Sequence, residues 1–180
     1  LREKSAPICM QRCYDEYGGW VPSCPKYENG DQSEQCLYLA ISMPERYAYA
    51  SSNEEFNALP KIPVMVFFHG GAFLFGSGHG PLYVSGPLSA MGDIIVVTVN
   101  YRLGIFGFGP FETEESFGNF GLTDQRNALK FVHDFIPFFG GDNEKVTLVG
   151  QSAGSESAYL QFTADSDEEH QNYFQNVMLM

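Results

Sequence analysis

The chain has 180 residues, 44% of them hydrophobic and 18% charged, a globular composition with enough apolar side chains for one sizeable core. Ten basic residues against 22 acidic ones give a formal net charge of −12. That balance argues against a nucleic-acid partner or an anionic membrane surface, both of which need basic patches, and no apolar run approaches the length of a membrane span.

All four cysteines, Cys9, Cys13, Cys24 and Cys36, fall in an opening stretch that has no hydrophobic periodicity and is rich in turn formers. Clustered and even in number, they read as two disulfides, which implies the secretory pathway. Cys9-x-x-x-Cys13 would also open a zinc site, but no histidine lies nearby and Cys24 to Cys36 offers no second close spacing, so no metal is expected. The four positions alone leave the pairing open.

Cys36 to Met43 (CLYLAISM) predicts a strand, and 46–61 a polar surface connection closed by Pro60. Ile62 to Phe68 (IPVMVFF) is a continuous apolar run, the pattern of a strand buried on both faces. His69-Gly70-Gly71-Ala72-Phe73 follows at its C-terminal end and opens a glycine-rich loop through Gly80. Pro81 to Met91 is weakly helical, and Ile94 to Asn100 is another buried strand leading into Tyr101-Arg102-Leu103-Gly104 and a second glycine-rich loop. Over Leu122 to Ile136, Ala128, Leu129, Val132, Phe135 and Ile136 recur at helical spacing, and Pro137 stops the helix. Val146 to Val149 predicts a short buried strand, Ser155 to Gln161 a helix, and Val177 to Met180 a further sheet strand. Apolar strands alternating with helices describe an α/β fold with a largely parallel sheet, whose ligand sites lie beyond the carboxyl ends of the strands.

Between the strand at 146–149 and the helix after it stands Gly150-Gln151-Ser152-Ala153-Gly154. Gly-x-Ser-x-Gly alone is a weak signal in a chain with 19 glycines; on a strand-to-helix turn it is a nucleophile elbow. The turn lifts the Ser152 hydroxyl clear of the sheet, the glycines allow strand and helix to cross closely, and the helix start aims N–H groups at any anion formed there. A serine attacking an ester carbonyl also needs donors for the tetrahedral oxyanion. Backbone N–H groups of a glycine-rich loop after an early strand, with that of the residue after the nucleophile, supply them. Here those are Gly71, Ala72 and Ala153. Phe73, Phe75 and Tyr83, placed after that loop, are candidates either for lining a substrate gorge or for core packing.

At this point the chain resembles the type-B carboxylesterase and cholinesterase family of α/β-hydrolases. Phe139-Gly140-Gly141, then Val146-x-Leu148, then Gly150-x-Ser152-Ala153-Gly154 matches its signature at every defined position. Glu34 to Leu39 resembles the second signature; His69 to Phe73, Asn100 to Gly104 and Gly118 to Arg126 match further, in the right order over roughly 5–180. The resemblance implies hydrolysis of small carboxylic esters without a cofactor, with Ser152 as acyl-enzyme nucleophile. It further implies a Cys9–Cys36 disulfide, which leaves Cys13 and Cys24 to pair with each other, and an Arg102–Asp124 ion pair behind the site.

There are departures. Gln35 and Ala40 replace the acidic residue and the Asn/Asp of the second signature. Gln151 stands where most relatives carry a glutamate beside the nucleophile, and Pro25-Lys26-Tyr27 occupies the region of the cholinesterase tryptophan, the only Trp here being Trp20. Both changes remove what would favour a cationic substrate, so a choline ester is not expected. Serine also needs a histidine base and an orienting acid, in the chain order Ser, Asp/Glu, His. Only residues 153–180 follow Ser152; their single histidine, His170, sits directly behind the acidic run Asp165 to Glu169, too close to be delivered by separate elements. His133-Asp134 reads as a helix-surface pair. The chain therefore reads as one partial domain, an internal piece of a longer esterase, truncated at both ends and inactive alone. The contrasting reading is a catalytically silent esterase-like domain used for adhesion or binding; retention of Ser152 and its flanking glycines weighs against it. Oligomeric state is not legible.

Overall fold

A computed structural model describes residues 6–11, 13–14, 20–21, 32–80, 83–111, 118–164 and 173–180, with 13–14 and 20–21 described by their backbone alone. Three strands form the middle of a five-stranded sheet: β6 (Ile62–Phe68), β7 (Ile95–Val99) and β8 (Gly141–Gly150), the last apolar only from Val146 on. With β5 (Leu39–Ser42) and β9 (Asn176–Leu179) the order is β5-β7-β6-β8-β9. Only β5 runs antiparallel to its neighbour, so the sheet is largely parallel, as expected. Every residue of β7 is buried, because β-branched side chains fill both sides of an interior strand.

Alternation along the strands divides the core in two. Val64, Val66, Phe68, Val97, Val146 and Leu148 share one cluster with Leu129 and Val132 of α5 (Phe120–Phe135) and Ala158 of α6 (Ala153–Thr163). On the opposite face Phe67, Val96, Thr98 and Val149 are buried as well, with α3 (Gly86–Gly92) packed against β7. Register places the strand exits side by side: Phe68 is level with Val99 and with Gly150, and Gly150 with Leu179. Everything attached after those residues meets along one edge of the sheet.

Several boundaries differ from the sequence expectation. The predicted strand from Cys36 begins only at Leu39, because Tyr38 N–H turns back onto the Cys36 carbonyl at 2.8 Å. The surface connection at 46–61 contains two short helices, α1 (Glu45–Ala48) and α2 (Asn53–Ala58). The second is nucleated by its cap: Ser52 Oγ accepts Glu55 N–H, and the Glu55 carboxylate accepts the N–H and hydroxyl of Ser51. A further short helix, α4 (Gly104–Phe108), lies in the second glycine-rich loop. The opening segment, expected to be irregular, carries four two-residue strands: β1 (Ile8–Cys9) pairs with β4 (Gln32–Ser33), and β2 (Cys13–Tyr14) with β3 (Trp20–Val21). Among the described residues no helix is long and apolar enough to cross a membrane.

Candidate active site

At the exit of β8 the chain reverses into α6 within one turn. Gln151 N–H donates to Phe68 O at 3.3 Å, and Gln151 O accepts Gly154 N–H at 2.9 Å. Ser152, the first central residue of that turn, has φ 53° and ψ −121°, the type II′ value that glycine ordinarily supplies. Glycine is required on both sides instead. A Cβ on Gly150 would lie 2.1 Å from Gly154 O, and one on Gly154 would lie 2.1 Å from Phe68 O. The strained residue is held in place by Met180, directly after β9: Met180 O accepts Ser152 N–H at 2.8 Å, and Met180 N–H donates to Gly150 O at 3.0 Å. Ser155 Oγ sits between them, 2.6 Å from Gly150 O and 2.7 Å from Met180 O. Ser152 is exposed while Ala153 and Gly154 beneath it are buried.

The loop after β6 comes up against this turn. The place a Cβ would take on Gly70 is occupied from the elbow side, with Gln151 Oε1 at 2.3 Å and Ser152 Cβ at 3.1 Å. Gly71, Ala72 and Phe73 all have positive φ (120°, 53° and 60°), and the N–H groups of Leu74 and Phe75 both donate to Gly71 O, at 2.9 and 3.1 Å. The loop therefore curls on itself directly beside the serine. Among the described residues the amides of Gly71, Ala72 and Ala153 have no hydrogen-bond acceptor, which leaves them able to serve an incoming oxygen.

His69 anchors the loop from below. Its buried ring stacks on Tyr101 with centroids 4.4 Å apart, Nδ1 lies 2.7 Å from Gly70 O, and the Tyr101 hydroxyl donates to His69 O at 2.6 Å. Burial pushes its pKa down to about 4, so the imidazole is neutral and built into the fold, not a solvent-facing base. Burial also lowers the pKa of His79 and raises that of the Tyr101 hydroxyl.

Behind the site, Asp124 in the first turns of α5 takes the Arg102 guanidinium bidentately, Nε–Oδ2 and Nη2–Oδ1 both at 2.7 Å, and also accepts Arg102 N–H at 3.1 Å. The paired carboxylate raises the Arg102 pKa, and the guanidinium lies 5.0 Å from the Phe120 ring centroid. This ion pair, implied by the family resemblance, joins the loop after β7 to α5. Gln125, one residue on, donates through Nε2 to Ser157 Oγ at 2.9 Å and joins α5 to α6.

Cys9 and Cys36 form a disulfide, while Cys24 and the Cys13 side chain lie outside the described residues, as do His170 and the run Asp165 to Glu169. His133 Nδ1 lies 3.1 Å from Asp134 Oδ1 on α5, both side chains partly exposed, as the helix-surface reading expects. Among the described residues no three metal-ligating side chains cluster. Phe73 packs edge-on against Phe108 and Tyr83 tilts against Phe67, both centroid pairs at 4.9 Å, whereas Phe75 is 37% exposed. Phe73 and Tyr83, two of the three gorge candidates, are engaged in aromatic packing. Two side chains hold the loop through contacts that the sequence does not reveal. Asn100 accepts Ser77 Oγ–H and Gly78 N–H at Oδ1, and Gln11 reaches Gly76 across 65 positions of sequence.

A strained serine on a strand-to-helix turn, beside a glycine-rich loop at the exit edge of a largely parallel sheet, defines an α/β-hydrolase. Comparison with known proteins narrows this further. The model of the carboxylesterase family matches residues 3–180, and the chain belongs to that family. It is 45% identical to juvenile hormone esterase of Tribolium castaneum over 161 residues, which cover 87% of this chain and 23% of that protein. It is 47% identical over 128 residues to para-nitrobenzyl esterase of Bacillus subtilis (strain 168), covering 70% of this chain and 24% of that one. Neuroligin-2 of Mus musculus matches at 39% identity over 140 residues, or 72% of this chain and 16% of that protein. A solved PNB esterase structure superposes with a TM-score of 0.71 at 38% identity, covering 95% of this chain and 31% of that chain. The chain thus spans about a quarter of the length of these esterase relatives.

Proposed function

We propose that this chain is the nucleophile-bearing part of a serine hydrolase acting on small carboxylic esters. Ser152 Oγ attacks the ester carbonyl as its proton passes to a histidine, and the amides of Gly71, Ala72 and Ala153 hold the tetrahedral oxyanion. Collapse of the intermediate expels the alcohol and leaves an acyl group on Ser152, which water then removes. No cofactor takes part. The base and its orienting acid come from residues outside those described, since among the described ones no imidazole hydrogen-bonds Ser152. Gln151 places a neutral amide, not a carboxylate, beside the nucleophile, which suits uncharged esters better than cationic ones. The Cys9–Cys36 bridge supports a protein made in the oxidising secretory pathway.

The observation that carries this reading is Ser152 itself: exposed, held at φ 53° and ψ −121°, and abutted by Gly70. Backbone strain of this kind persists where function requires it. The test is incubation of the full-length gene product with diisopropyl fluorophosphate, followed by peptide mass spectrometry and hydrolysis of p-nitrophenyl acetate. A phosphoryl adduct on the Ser152 peptide, with both adduct and hydrolysis lost in Ser152→Ala, is the expected result. A folded full-length protein that neither labels nor hydrolyses would instead be the catalytically silent binding domain.

A further inference from the structure

Gln11 lies two residues beyond Cys9, and its side-chain amide faces the backbone of Gly76. Oε1 accepts Gly76 N–H at 2.7 Å while Nε2 donates to Gly76 O at 3.0 Å, so one planar amide satisfies both backbone groups as a neighbouring strand would. Nε2 also donates to Cys9 O at 3.0 Å, and the Gln11 N–H donates to Gln32 Oε1 at 2.9 Å on β4. The side chain is therefore fixed at its own end by the Cys9–Cys36 bridge and the β1–β4 pair.

Gly76 closes the same loop that Gly70 opens. Its φ is 114°, and a Cβ there would lie 2.6 Å from both Gly70 O and His69 Nδ1. Gly70 in turn abuts Ser152. The contacts run without a gap from disulfide to Gln11, to Gly76, to Gly70, to the elbow. Beyond Phe75 two side chains hold the far side of the loop: Gln11 takes both backbone groups of Gly76, and Asn100 Oδ1 accepts the Ser77 hydroxyl and Gly78 N–H just after it.

We propose that Gln11 is a positioning residue that holds the closing end of loop 70–76 so that the Gly71 and Ala72 amides keep their place beside Ser152. The inference rests on the reading of those amides as oxyanion donors. Displacing preorganised donors affects the transition state more than substrate binding, so the loss should fall on turnover.

The test compares Gln11→Leu and Gln11→Glu with the wild type in the full-length gene product. Three readouts are taken: p-nitrophenyl acetate kinetics, affinity for an aryl trifluoromethyl ketone that adds to serine as a tetrahedral mimic, and amide hydrogen exchange over 71–76. For Gln11→Leu, kcat is expected to fall about 10- to 100-fold with KM within about twofold, ketone affinity to weaken in parallel, and exchange over 71–76 to quicken. Gln11→Glu is expected to match that loss at neutral pH. Its deficit relative to wild type shrinks as pH approaches about 4, where the protonated acid again offers one O–H donor and one carbonyl acceptor. Unchanged kcat, a loss confined to KM, or unchanged exchange over 71–76 would overturn the proposal. Should the wild type neither hydrolyse esters nor label at Ser152, the hydrolase reading fails, and the exchange comparison alone decides whether Gln11 clamps the loop.

Discussion

Replacing Ser152 by glycine is expected to stabilise the protein relative to Ser152→Ala. At φ 53° and ψ −121° Ser152 lies outside the left-handed helical well that non-glycine residues tolerate, in a region where a Cβ carries strain of about 1–3 kcal/mol. Alanine keeps that Cβ and its strain; glycine removes both. Against this, glycine costs about 0.5–1 kcal/mol more than alanine through the freedom it has in the unfolded chain. The difference leaves Ser152→Gly ahead by about 1 kcal/mol. At an ordinary position the sign is reversed, with glycine behind by about 0.5–1 kcal/mol, so the two expectations are well separated. Urea denaturation of the two variants, with equal m-values as the check that the unfolded states match, reads the difference directly. A Ser152→Gly protein less stable than Ser152→Ala would mean the elbow stores no strain, and the physical basis for reading it as a nucleophile seat would go with it.

Asp124→Asn should lower stability by about 2 kcal/mol in the same assay. Removing one partner of a buried ion pair costs about 3–5 kcal/mol, and the Arg102 side chain is about a third exposed, so water recovers part of the loss. A change below about 0.5 kcal/mol would show that the pair contributes nothing. His69 predicts an acid-side slope. Its folded pKa of about 4 lies below its ordinary 6.5, so between those values the unfolded chain binds the proton and the folded one does not. Stability is intact above 6.5 and falls toward 4, by at most about 3 kcal/mol. A His69→Gln variant should lose that part of the pH dependence; a slope over this window identical to the wild type's would refute the assignment.

The interior of the sheet was legible from the residues alone. Ile62–Phe68 is apolar throughout and Ile95–Val99 is β-branched throughout, the pattern of short interior strands. The start of β8 was not, since Gly141 to Lys145 is polar and joins the sheet through backbone pairing that carries no hydropathy signal, with a register irregularity opposite Ile62 to Val64. Helices α1, α2 and α4 span four to six residues, too few for a period of 3.6 to declare itself. The elbow and the loop at His69 to Phe73 were visible because each is a local motif set after an obvious strand. The disulfide pairing was not legible from cysteine positions and followed only from the family resemblance. Gln11 and Asn100 were invisible as site residues, because their partners lie 65 positions away at Gly76, 64 at Cys36 and 22 at Gly78.

Those distant contacts explain how so much unfavourable backbone survives in one place. Gly71, Ala72, Phe73 and Ser152 all take positive φ within two adjoining turns, and three of the four carry a Cβ. Such conformations persist only when the surroundings over-determine them. Here Met180, directly after β9, and Ser155 fix the elbow, the stacked His69–Tyr101 pair fixes the loop from below, and Gln11 with Asn100 fixes it from the disulfide side. A motif of five residues names the nucleophile, but a serine in that motif without these three supports would relax toward an ordinary turn. The strain at Ser152 is therefore a property of the whole sheet edge, which is why it can be measured as stability even where no ester is ever offered.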